Sequence, residues 1–256
     1  MSVSLEVDGG IATLTLNRPD VLNAMDTGTY AEVTAALERI EAEPEIRLGL
    51  VTGAGERAFS AGADLREMHT GEEGGGEWRT WRPDRWDFGV KTSKPMLAAV
   101  HGYALAGGME LTLMCDIRIA SEDAVFGAPE VKWNLLHGYG ALRLPAIVGL
   151  SNAMRLLLTG DTIDAAEAHR IGLVSEVVPG DRLMARTHEV AASILENADE
   201  AVRMSKELAL QGLGHPLEDG MRLYREMYRQ VGSTSEQRER LGTFGNGDRG
   251  SAEGRR

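Results

Sequence analysis

The stretch Val100 to Asp116, "VHGYALAGGMELTLMCD", constrains this chain more than any other. A buried-strand pattern over Met96 to Val100 runs into His101-Gly102, and an apolar run then begins on two adjacent glycines. Glycine costs a helix interior roughly 1 kcal/mol against alanine, so a helix that starts on it needs a reason. The reason on offer is access. The first N–H groups of a helix have no intrahelical acceptor, and a residue without a Cβ lets another molecule approach them closely. Glu110 follows Gly107 by one helical turn and so shares a face with its N–H. A donor for a developing oxyanion and a candidate base then meet in one pocket.

A single N–H seldom makes an oxyanion hole, and the chain has a second turn of the same kind. The buried strand Ile46 to Thr52 leads to "RAFSAGADL", where Ser60-Ala61-Gly62-Ala63 precedes Asp64 and a helix predicted through Met68. The Ala63 N–H is the candidate partner of Gly107. Each turn alone is also how an ordinary helix begins; the two together point to a shared site. A third element, "VFGAPEVKW", sets Glu130 behind a short strand and Pro129. Such a carboxylate is a solvated charge unless it faces Glu110 across a pocket. There the pair divides the work of proton donor and acceptor, one pKa being raised by the other's charge.

The rest of the chain supplies a frame for these turns. Residues Val3 to Leu16 alternate on either side of Gly9-Gly10, which predicts a hairpin. A cap at Asp26 or Thr27 opens a helix whose apolar positions are Val33, Ala36, Leu37 and Ile40, with Pro44 as its stop. Further strands are predicted at Ile117 to Ala120 and Ala124 to Phe126, and strands alternating with helices indicate an α/β fold with parallel pairing. From Ser151 the pattern is helical, over Asn152 to Leu158, Ala165 to Ile171, Met184 to Leu195, Ala201 to Leu210 and Pro216 to Val231. Residues 1–195 therefore read as a core and 196–256 as a helical region, with a frayed end from Gly242. Between Met68 and Lys91 the periodicity lapses. That loop holds a glycine triplet and then Trp78, Trp81 and Trp86, either as surface anchors or as the wall of a ligand pocket.

A net charge of −12 argues against broad attraction to nucleic acid or an anionic membrane, so an anionic ligand must meet a local basic cluster. Cys115 is the one cysteine, which excludes an intrachain disulfide and a multi-thiolate metal site and fits a reducing compartment. No apolar run reaches the ~18 residues of a membrane span, and no basic leader opens the chain. The expectation is a soluble, cytoplasmic protein.

The segments "LNRPDVLNAM", "ERAFSAGADL", "LAAVHGYALAGGMELTLMCDIRIAS" and "FGAPEV", in this order and spacing, resemble the crotonase superfamily, most of all its enoyl-CoA hydratases. The likeness runs from Val3 through "TGDTIDAAEAHRIGLVSEVVP" to Pro179 and weakens in the C-terminal helices. It implies an α/β fold, a spiral of repeated β-β-α units with a C-terminal helical trimerisation region, and a homo-oligomer, either a trimer or a dimer of trimers. It also implies an acyl-CoA thioester substrate, with no nucleic acid, membrane, metal or cofactor beyond the CoA that the substrate carries. The N–H groups of Ala63 and Gly107 would hold the thioester oxygen, while Glu110 activates water and Glu130 supplies the α-proton. Ala61, Asp64, Leu65 and Gly108 would contact substrate or CoA, Arg18 and Arg66 the CoA phosphates. Arg57 is a further basic candidate beside the first motifs.

The chain departs from the resemblance in three places. After the second glutamate it reads "NLLHGYGALRL", one residue shorter than the hydratase pattern, with His137 near the usual proline and Tyr139 in place of a small residue. Both become candidates for the acyl pocket, beside the three tryptophans, which suggest bulky or branched acyl groups. Ala128 stands where many hydratases carry a glutamine that orients a carboxylate, and the tail lacks the basic, aromatic end that helps to cover CoA. The alternatives are a 3,2-enoyl-CoA isomerase or another acyl-CoA lyase, a non-catalytic scaffold or RNA-binding member, and a Rossmann enzyme. Isomerisation needs one base only, the acidic charge opposes RNA, and "GYALAGG" lacks the dinucleotide glycine spacing.

Overall fold

The structure, a computed structural model, describes residues 1–67, 92–232 and 234–245. Trp78, Trp81 and Trp86 lie outside them. The chain divides into two compact units, Met1–Ser193 and Ile194–Arg256.

In the first unit, β1 (Val3–Asp8) and β2 (Ile11–Leu16) form the hairpin, its turn made by Gly9 and Gly10 at positive φ. Helix α1 (Thr27–Ala42) starts on Asp26, whose side chain accepts from the Thr29 N–H at 2.8 Å. Strands β3 (Leu48–Gly53), β5 (Met96–Val100), β7 (Ile117–Ser121) and β10 (Glu176–Val178) join the hairpin in a six-stranded sheet ordered β1-β2-β3-β5-β7-β10. All pairs beyond the hairpin are parallel. Successive residues face opposite ways: Val51, Ala98 and Ala120 enter the main core, while Leu50, Ala99 and Ile119 meet Leu183 on the other face. Burial on both faces explains why these strands read as continuous apolar runs.

A second sheet holds β4 (Ala58–Ser60), β6 (Tyr103–Leu105), β8 (Val125–Gly127) and β9 (Thr162–Asp164), in that order. The chain thus repeats one unit: a strand in the large sheet, a strand in the small one, then a helical segment. The repeats are β3-β4 with the helical turn from Leu65, β5-β6 with α2 (Gly107–Met114), and β7-β8 with a 3-10 helix (Pro129–Trp133). Strands β4, β6 and β8 are mutually parallel, with Ser60 paired to Ala104 and Leu105 to Gly127. The three helical segments therefore emerge from them side by side. The sequence predicted β8 one residue early, as Ala124 to Phe126, and did not predict β4, β6, β9 or β10, whose three residues show no alternation that sets them apart from a turn.

Helices α3 (Gly138–Val148), α4 (Leu150–Thr159), α5 (Ala165–Arg170) and α6 (Leu183–Leu195) complete the coverage of this unit. Two buried cations cap helix C-termini. The Lys94 Nζ donates to the Ile40 and Glu43 carbonyls at the end of α1, at 2.6 and 2.7 Å. At the end of α2, the Arg118 guanidinium donates to the carbonyls of Thr112, Cys115 and Asp116 and reaches Leu173 O at 2.7 Å. A cation here meets the negative end of the helix dipole as well as the orphan carbonyls.

The second unit holds α7 (Asp199–Gly212), α8 (Leu217–Gly232) and α9 (Ser235–Gly245). Helices α7 and α8 pack together, with Met227 buried. The sequence predicted a frayed end from Gly242, whereas α9 continues through Gly245 and 246–256 lie outside the described residues. Within this unit Arg240 pairs with Glu236 at 3.1 Å and donates to Glu196 O at 3.1 Å.

Replacing Arg118 by leucine removes a donor from four carbonyls, of which Thr112 O keeps the Cys115 N–H at 3.2 Å. Because an unsatisfied buried acceptor costs about 1–3 kcal/mol, urea unfolding of Arg118→Leu is expected to show a loss of at least ~2 kcal/mol.

Candidate active site

The site begins with three chain segments that leave the small sheet in parallel. After β4, Met25 N–H donates to Gly62 O and Asp64 N–H donates to Met25 O, a ladder that passes over Ala63. Its N–H is thereby turned the other way. After β6, Ala106 adopts φ 51° and ψ −127°, a conformation that costs a residue with a Cβ about 1–3 kcal/mol. That turn starts α2 on Gly107, whose N–H has no acceptor within the helix. A Cβ added at Gly107 would stand 3.7 Å from Ala63 N and 2.8 Å from the Tyr30 hydroxyl. The two helix starts therefore meet at one point, and the glycine leaves that point open.

Gly108 serves a different end. A Cβ there would fall 2.3 Å from Ser60 O, so its missing side chain allows α2 to lie against β4. It packs the helix, and it is not among the described residues that line the cavity.

A cavity of about 750 Å³ opens in front of these turns. Ala61, Ala63, Gly107, Glu110 and Glu130 line it, and Asp64, Leu65, Arg57 and Arg66 also border it. Leu105, Trp133, Leu135 and Leu136 give it an apolar wall. Arg18 does not line it. The Arg18 guanidinium is held by Asp26 at 3.0 Å, Asp64 at 3.4 Å and Ala24 O at 2.6 Å, which fixes the segment before α1. Nor does Tyr139: it packs against the main core, where burial pushes its phenol up to about 12.

The two glutamates share the end of the cavity nearest α3. Glu110 is 2% exposed, and its Oε1 accepts the Gly140 N–H at 3.2 Å, with the Tyr139 N–H also directed to the carboxylate. These are the second and third residues of α3, which has no capping side chain of its own, so Glu110 caps it from another helix. Burial pushes the Glu110 carboxyl above its ordinary value, against the two N–H donors that favour its charged form. Glu130 enters from the 3-10 helix, and its Oε1 lies 2.6 Å from Nδ1 of His137. His137 is itself buried, and its Nδ1 stands 4.0 Å from Glu110 Oε1. The structure thus joins Glu110, Glu130 and His137 in one cluster. It adds Gly140 and Tyr30, neither of which the sequence singled out. The glycine spacing in "HGYG" was a signal for the first; nothing in the sequence pointed to the second.

A spiral of β-β-α units that brings two helix-start N–H groups and two carboxylates to one cavity defines a crotonase-fold protein. The enoyl-CoA hydratase of Bacillus anthracis has that fold with a TM-score of 0.89 at 33% identity, over 96% of each chain. The chain belongs to the enoyl-CoA hydratase/isomerase family, whose model matches residues 6–247. It is 37% identical to the short-chain-enoyl-CoA hydratase of Clostridium acetobutylicum, over 95% of this chain and 94% of that one. It is also 37% identical to the (E)-benzylidenesuccinyl-CoA hydratase of Thauera aromatica, over 96% of each.

Gly140 supports both carboxylates, and a Cβ on it would fall 1.9 Å from His137 Nε2. Gly140→Ala is expected to displace the imidazole and destabilise the fold by about 1–3 kcal/mol, measured by urea unfolding, since overpacking of a filled site costs that much.

Proposed function

We propose that this chain hydrates 2-enoyl-CoA thioesters, giving 3-hydroxyacyl-CoA. The observation that carries the reading is the meeting of the Ala63 and Gly107 helix starts with Glu110 and Glu130 in one cavity.

The thioester carbonyl oxygen accepts from the N–H groups of Ala63 and Gly107. Glu110 takes a proton from water as the water oxygen bonds to C3. The C2–C3 π pair shifts toward C1, and the negative charge gathers on the thioester oxygen, where each donor is worth about 2.7–4 kcal/mol. The enolate then collapses by taking a proton at C2 from Glu130, and the proton held by Glu110 returns to Glu130 through solvent. No electron leaves or enters the substrate, so the reaction calls for no redox cofactor. Leu105, Leu135 and Leu136 suit the acyl chain, while Arg57 and Arg66 suit the anionic CoA. A 3,2-isomerisation moves one proton between C2 and C4 with a single base, so the second carboxylate favours hydration. Oligomerisation as a trimer or dimer of trimers is part of the same reading, supported by the exposed Leu217, Met221, Tyr224 and Tyr228 on α8.

The test follows the loss of enoyl-thioester absorbance with short, long and branched substrates. Glu110→Gln and Glu130→Gln are each expected to lower kcat by about 10²-fold or more, the range of general acid–base catalysis. Wild-type protein that hydrates none of them overturns the reading.

As the base, Glu110 must be ionised, and burial raises its pKa. The acidic limb of the wild-type rate profile is therefore expected above the ordinary glutamate value of about 4.3, with activity lost as pH falls through it.

A further inference from the structure

His137 stands where Glu130 is held, and the geometry around its ring fixes more than position. Nδ1 lies 2.6 Å from Glu130 Oε1. The other ring nitrogen, Nε2, is buried without a hydrogen-bond partner among the described residues, and the Gly140 backbone packs over it. A proton on Nε2 would be a buried donor with no acceptor, an arrangement costly enough to be rare. A single ring proton on Nδ1 avoids that cost and donates to Oε1. Glu130 Oε2 is likewise buried with no partner among the described residues, while Glu130 borders the cavity. Nothing on Ala128, which is buried and apolar, reaches the carboxyl group.

We propose that His137 is a positioning residue that acts through Glu130: its Nδ1–H occupies Oε1 and leaves the transferable proton of Glu130 on Oε2. A protonated carboxyl group has one oxygen that accepts and one that carries hydrogen. Donation from His137 claims the accepting role for Oε1, so the proton that C2 receives starts from Oε2. Without this contact, the proton is shared between both oxygens and the carboxyl group is free to turn. Gly140 provides for the arrangement, because a side chain there would occupy the place of the ring. The inference rests on the hydratase reading for its catalytic consequence, but not for the state of the ring.

Two measurements test it. The first is 15N NMR of protein labelled in its histidines, the His137 signals being assigned by their loss in His137→Asn. An Nδ1–H tautomer in the wild type is expected; an Nε2–H tautomer or a doubly protonated ring overturns the proposal, whatever the enzyme catalyses. The second is a double-mutant cycle in the hydration assay. His137→Leu is expected to lower kcat about 10²-fold with KM changed less than about threefold, as for a misplaced catalytic group. His137→Asn, whose amide offers a donor near the place of Nδ1, is expected to recover about tenfold of that loss, within the context-dependence of such contacts. In the Glu130→Gln background, His137→Leu is expected to cost almost nothing further. An equal loss in both backgrounds overturns the proposal, as does a His137→Leu enzyme with the wild-type kcat. Should His137→Leu fail to fold, His137→Asn carries the cycle: it is expected to lower kcat in the wild-type background and not in Glu130→Gln. A wild type that hydrates no enoyl-CoA ester overturns the hydratase reading instead, and the tautomer still decides whether His137 holds Glu130.

Discussion

The site depends on the parallel pairing of three very short strands. Residues far apart in sequence reach one cavity because β4, β6 and β8 lie beside each other in register, so that the chain leaves all three at the same edge. Ala63, Gly107 and Glu130 are the consequences of three successive turns of one spiral. The large sheet supplies the stability that three-residue strands lack, since β3, β5 and β7 are buried on both faces and immediately precede them. Close approach then completes the geometry. Gly108 lets α2 touch Ser60, Gly62 leaves room for the turn at Ala106, and Gly107 leaves the mouth of the two helix starts open.

Dependence on such short strands also governs how much of the molecule is legible in its sequence. Long elements with a clear period were legible: the hairpin at Gly9-Gly10, α1 behind Asp26, the buried strand β3, read as Ile46 to Thr52, and the strand Met96–Val100. So were the two glycine-rich helix starts, because glycine at the head of an apolar helix contradicts propensity and so demands an explanation. Of the small sheet only β8 was legible, one residue early, as Ala124 to Phe126. A strand such as Tyr103–Leu105 has one buried residue between two more accessible ones, which any turn could also show. The second layer of the site was hidden for another reason: the contact of Glu110 with the Gly140 N–H joins backbone and side chain across thirty positions and leaves no mark on local pattern. Arg18 and Tyr139 were plausible as ligand contacts by residue type; in the structure Arg18 is tied to Asp26 and Asp64, and Tyr139 packs against the main core.

Two carboxylates held close together in a buried place are costly unless their surroundings treat them differently. Here they do. Glu110 comes from one helix and receives N–H groups from the start of another, so its charged form has donors waiting although burial disfavours it. Glu130 comes from a 3-10 helix and receives a side-chain contact instead. An amide donor cannot change its protonation, whereas an imidazole has two tautomers, and only packing against its second nitrogen selects one.

That selection is where the departure from the related pattern acquires a physical meaning. Introducing a histidine into a proline-like position is not enough, because the ring needs space, and Gly140 makes that space in the first turn of α3. Gly140 has to lack a side chain for His137 to fit, and has to keep its N–H directed at Glu110 for the other carboxylate to be held. A change at either residue therefore reaches both glutamates. Within the segment from Asn134 to Leu144, one residue shorter than the hydratase pattern, a histidine and a glycine depend on each other.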